Sequence, residues 1–71
     1  MRWTPERLDQ LESASRSNRR VVVRRRGNEF VVVALALHQS NGREVFVGRL
    51  PMTGDPLLFP LDDIESFEVL P

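Results

Sequence analysis

His38 is the single histidine of this 71-residue chain, which has no cysteine and no tyrosine. Imidazole is the side chain that titrates nearest neutral pH, so proton transfer would start there. A general base also needs a nucleophile and an orienting carboxylate within reach, and no such pattern surrounds His38. Without a thiolate or a second histidine it has no partners for a tetrahedral metal. Asp62-Asp63 is the one pair of adjacent carboxylates. Neighbours in sequence point apart, and Asp62 fits better as the cap of a short turn over Leu61–Ile64. Thr53-Gly54-Asp55 is accounted for by turn chemistry. The four glycines stand singly, so no glycine-rich loop cradles a phosphate. These residues predict a chain that is not an enzyme, with no catalytic residue, no metal and no cofactor.

The basic residues are more informative. All ten are arginine, and they balance ten carboxylates. The signs are separated along the chain. Residues 1–26 hold eight arginines and three carboxylates, a net +5, and residues 27–71 carry the compensating −5. Arg19, Arg20, Arg24, Arg25 and Arg26 crowd one short stretch. They are candidates for a surface that takes phosphates or an acidic partner. The competing expectation is internal: the first and last strands pair, and these arginines face Glu65 and Glu68 across the strands, each pair worth roughly 0.2–1 kcal/mol. Zero net charge and a shortage of free stacking aromatics disfavour a nucleic-acid surface.

The elements that position these residues can be read from periodicity. Residues 4–17 predict a helix, with Thr4 as N-cap and Pro5 at the first helical position. Trp3 and Leu8 have the spacing of a hydrophobic staple. Leu8, Leu11 and Ala14 make a thin apolar stripe, which predicts a helix lying over something rather than forming a core. Ser17-Asn18 is the predicted stop. The period then changes to two. Strands are expected over residues 19–26, 29–37, 43–50, 57–60 and 65–70. Gly27-Asn28 and Asn41-Gly42 supply turns, the second inside a loop over residues 38–42. Strand 29–37 is apolar on both faces, Phe30/Val32/Ala34/Ala36 and Val31/Val33/Leu35/Leu37. One of those faces therefore predicts a cover, a homodimer being an open option. Gly48 marks a bulge or a close backbone approach. Val21 and Val23 face one way, and Val22 with its flanking arginines the other.

One helix followed by five short strands, with a one-turn link before the last, is the order of the small five-stranded SH3/Sm-like barrel. Residues 1–71 form a single domain on this reading, mostly β with an N-terminal helix. The alternative is an open sheet crossed by the helix. A chain this short buries only about 60% of the surface it exposes unfolded, and one such core supplies roughly 3–5 kcal/mol. The longest apolar run, Phe30–Leu37, is far shorter than the ~20 residues of a membrane helix. The N-terminus has no leader-like apolar stretch. Both features, with the lack of cysteine, lead us to expect a cytoplasmic protein with no membrane partner.

Two stretches resemble the Rho-binding antiterminator family. Leu11-Glu12-Ser13-Ala14 is similar to that family's L-E-x-A, and Leu61-Asp62-Asp63-Ile64-Glu65-Ser66-Phe67 to its L-D-x-I-x-S-F. Gly27 falls between them, where the family has a glycine turn. Bacterial Sm-like and SH3-like modules share the same tail pattern. The resemblance implies a helix plus an Sm-like barrel that binds the transcription-termination helicase and blocks its loading on RNA. The arginine run departs from the acidic surface such a partner would favour. The expected function is thus a small non-enzymatic binding module working through protein contacts, linked to RNA or transcription. Two alternatives are a nucleic-acid-binding barrel using Arg19–Arg26 and a structural subunit that self-associates.

Overall fold

A computed structural model describes all residues, Met1–Pro71. Helix α1 spans Pro5–Arg16, and the strands are β1 (Arg20–Arg25), β2 (Asn28–Ser40), β3 (Arg43–Arg49), β4 (Pro56–Pro60) and β5 (Ser66–Val69). A 3₁₀ turn over Leu61–Asp63 joins the last two. The helix starts where the Thr4 hydroxyl accepts the Arg7 N–H at 3.2 Å. It stops in a Schellman motif: Asn18, at φ 52°, donates its N–H to the Ser15 carbonyl, and Arg19 donates to that of Ala14. The Asn18 amide group donates onward to Ala34 O at 2.9 Å, which ties the helix end to β2.

The strands form one antiparallel sheet in the order β4-β3-β2-β1-β5. β1 pairs with β5, but no ladder joins β4 to β5, so the sheet is open and those two strands are its edges. The sheet curls nonetheless. β2 carries a bulge between Ala34 and Ala36, which sharpens the bend of the strand. As a result Phe59 of β4 meets Phe30 of β2 at 5.6 Å between ring centroids.

Two local expectations change, and a third, that Gly48 marks a bulge or a close approach, resolves to the close approach. The first hairpin turns on Arg26-Gly27 (φ 51° and 76°), not Gly27-Asn28. A two-residue turn with positive φ at both positions favours glycine second, and this register sets Arg24 opposite Glu29. The residues from His38 to Ser40 extend β2 rather than forming a loop, and Asn41-Gly42 alone (φ 54° and 77°) makes the second turn. The bulge falls on Leu35, while Gly48 marks a close approach: a Cβ there would lie 2.6 Å from Val32 Cγ2.

The core fills the concave side of the sheet. Leu11, Ala14, Val21, Val23, Val32, Ala34, Phe46 and Phe59 are almost wholly buried there, with Leu61 and Ile64 from the link before β5. Leu11 is among the largest fully buried side chains. The helix stripe is therefore part of the core, because the curled sheet encloses it. Trp3, just before the helix, packs against the core. Its ring stacks on Phe67 at 5.6 Å, and its indole N–H donates to Leu61 O at 3.0 Å.

Candidate protein-contact surface

Strand alternation divides β1 between two faces. Val21 and Val23 enter the core, while Arg20, Val22 and Arg24 point outward. Arg25 shares the parity of the buried valines and sits at the rim. Its guanidinium lies 5.1 Å from the Phe30 ring and 4.9 Å from the Phe59 ring, and it donates to Leu58 O. The cation thus covers the aromatic end of the core.

The structure scatters the arginine run. Arg19 donates through Nε and Nη2 to Leu70 O, at 3.1 and 3.0 Å. Arg24 forms an ion pair with Glu29 at 2.9 Å. The hydrogen bond to Glu29 first, and then the Glu29 charge, push the Arg24 pKa further up, with a smaller effect from Glu65. Arg26 reaches Asp63 at 3.9 Å. The expected pairs with Glu65 and Glu68 do not form. The β1–β5 register sets Ser66 opposite Arg24 and Glu68 opposite Val22, and the Glu65 carboxylate accepts the Gly27 N–H instead. Among the five arginines, Arg20 alone makes no ion pair and no side-chain hydrogen bond.

The other candidates separate as well. Asp62 lies inside the 3₁₀ turn rather than capping it; Pro60 precedes the turn with no side-chain cap. Asp62 pairs with Arg43 at 3.4 Å and its neighbour Asp63 with Arg26, so one carboxylate serves β3 and the other the β1–β2 turn. His38 is exposed on β2 opposite Val45. No three His, Asp or Glu side chains are grouped to hold a metal ion. Thr53 Oγ1 accepts the Asp55 N–H, and Gly54 donates to Leu50 O, which closes the loop on itself.

What the sheet does present is its convex face. The register places Leu58, Val47 and Ala36 in one row across β4, β3 and β2, and Val31 beside Val22 in another. Between them runs Pro56–Arg49–Val33–Arg20. Val31, Leu35 and Leu58 remain 43, 36 and 58% exposed, although the core beneath them is complete. Val33 is only 8% exposed. The Arg20 and Arg49 stems on either side of it are long enough to cover it. Arg49 and Leu58 were not singled out as surface residues by the sequence. A single arginine and a leucine in short strands carry no distinguishing signal until the register sets them beside Val33 and Val47. The bulge also splits the two expected faces of β2: beyond Leu35 it turns Leu37 toward the core and Ala36 outward. Compared with protein-family models, curated proteins and solved structures, the chain gives no significant match in any of the three.

Proposed function

We propose that this chain is a non-enzymatic binding module that contacts another protein through the convex face of its sheet. The observation that carries the reading is the exposure of Val31, Leu35 and Leu58 on a face whose underlying core is already filled. Apolar side chains gathered on one surface mark a contact site more often than chance scatter does. In fold, we assign the chain to the small SH3/Sm-like barrels. The strand order, the bend of β2 and the 3₁₀ turn before β5 support that assignment. The resemblance around Leu11–Ala14 and Leu61–Phe67 makes the transcription-termination helicase the partner to test, and regulation of RNA or transcription the process. A cytoplasmic location belongs to the same reading; no helix is long and apolar enough to cross a membrane.

The experiment is a sedimentation titration of the purified chain against the purified helicase. A V31D/L58D variant replaces two exposed side chains, so it is expected to keep the wild-type fold. Co-sedimentation of the wild type and its loss in the variant support the reading. Binding that is equal in the two overturns the choice of surface, and no binding by either removes the helicase.

A further inference from the structure

Arg20 and Arg49 stand on opposite sides of Val33, from β1 and β3, in one row across the convex face. Adjacent strands lie about 4.8 Å apart, so the two Cα atoms are separated by roughly 10 Å. Neither arginine makes an ion pair or a side-chain hydrogen bond, whereas Arg16, Arg24, Arg26 and Arg43 all have carboxylate partners. The nearest outward carboxylate on the flanking strand is Glu68, which the register sets opposite Val22 instead of Arg20. Between and beside the free guanidiniums lie Val31, Val33, Ala36 and Val47.

We infer that this face binds an extended, acidic and apolar segment of a partner protein, its apolar side chains over Val31, Ala36 and Val47 and its carboxylates on Arg20 and Arg49. The inference rests on the binding-module reading and names the partner's chemistry. An extended chain repeats its side-chain directions every ~6.8 Å, so one laid along β2 can keep apolar groups on the strip. Its acidic groups then reach sideways to guanidiniums that take carboxylates in a bidentate fork. Two other occupants fit less well. A two-fold copy of this chain presents the same patch to itself, which would bring four unpaired arginines together. A nucleic acid would find no stacking platform, because Trp3, Phe30, Phe46, Phe59 and Phe67 are all in or against the core.

The test uses two synthetic seven-residue peptides, one alternating valine with aspartate and one alternating valine with lysine, and polyuridylate as a third probe. Each is titrated into the ¹⁵N-labelled whole chain, and amide shifts are followed. The expected result is saturable movement of Arg20, Val31–Val33 and Val47–Arg49 with the aspartate peptide only. R20E/R49E should raise its Kd roughly tenfold or more, and the charge-neutral R20Q/R49Q should follow in the same direction. No movement with the aspartate peptide, equal movement with the lysine peptide, or movement with polyuridylate alone overturns the inference. So do shifts of these amides with protein concentration and no ligand, which identify a second copy as the occupant. If V31D/L58D loses the helicase while R20E/R49E retains it, the acidic segment fails and the binding module stands.

Discussion

Gly48→Ala tests whether the bend of the sheet is as tight as its geometry requires. Gly48 pairs with Ala34 immediately before the β2 bulge, and its backbone φ is not positive. The substitution therefore carries no left-handed strain, and the loss of chain entropy in the unfolded state favours the variant by roughly 0.4–1 kcal/mol. Opposing this, the new methyl would sit 2.6 Å from Val32 Cγ2 and 2.8 Å from Val32 Cβ. Carbon atoms prefer separations of about 3.5–4.0 Å, so the overlap approaches 1 Å. Val32 is fully buried, and a β-branched side chain has little rotamer freedom with which to retreat. Overpacking of this kind costs about 1–3 kcal/mol, and here the upper end applies, because the contacts fall on a Cβ and its stiff branch. The expected net loss is about 2 kcal/mol, close to half of the roughly 3–5 kcal/mol that one core of this size supplies. In thermal unfolding that corresponds to a fall in Tm of about 8–16 °C. Urea denaturation followed by Trp3 fluorescence gives the free energy directly. Val32→Ala removes the nearer contact and leaves the one at Cβ, so a double-mutant cycle should return a coupling of about 1 kcal/mol. A Gly48→Ala loss below about 0.5 kcal/mol, or no coupling to Val32, would refute the close approach.

Leu11→Ala should lose on the order of 2–4 kcal/mol, since Leu11 is fully buried between the helix and the sheet; a urea midpoint near wild type would detach the helix from the core. Asn18→Ala removes the bond to Ala34 O and leaves a positive φ on a residue that resists it. A loss of about 1–3 kcal/mol is expected by the same assay. Asn18→Gly should recover the backbone part, and equal losses in the two would mean that φ contributes nothing. Arg25→Lys keeps the charge but not the planar group over Phe30 and Phe59. Calorimetry should register a drop of about 0.5–1 kcal/mol, whereas an unchanged Tm would make the stacking incidental.

The sequence by itself determined the local structure, because local structure depends on neighbours in the chain. Thr4-Pro5 starts the helix, Asn18 takes the left-handed stop, and Asn41-Gly42 makes a hairpin with no help from distant residues. Alternation sent Val21 and Val23 inward for the same reason, since successive side chains of a strand face opposite sides. The first turn was legible only to within one residue, as Arg26-Gly27 and Gly27-Asn28 keep the same strand parity but differ by two residues in register, and only the former sets Arg24 opposite Glu29. Register and curvature were decided by tertiary structure. The bulge at Leu35 exchanges the two faces of β2 midway, and nothing in the apolar run Phe30–Leu37 marks where the exchange occurs. The arginine run looked like one patch because its members are adjacent in sequence. In the fold four of the five guanidiniums find separate partners: Leu70 O for Arg19, Glu29 for Arg24, two aromatic rings for Arg25 and Asp63 for Arg26. The surface left over pairs Arg20 with Arg49, 29 residues away, because strand pairing sets both beside Val33. Pairing between strands depends on the packing of the whole sheet, so the chain's linear pattern of charge could not reveal it.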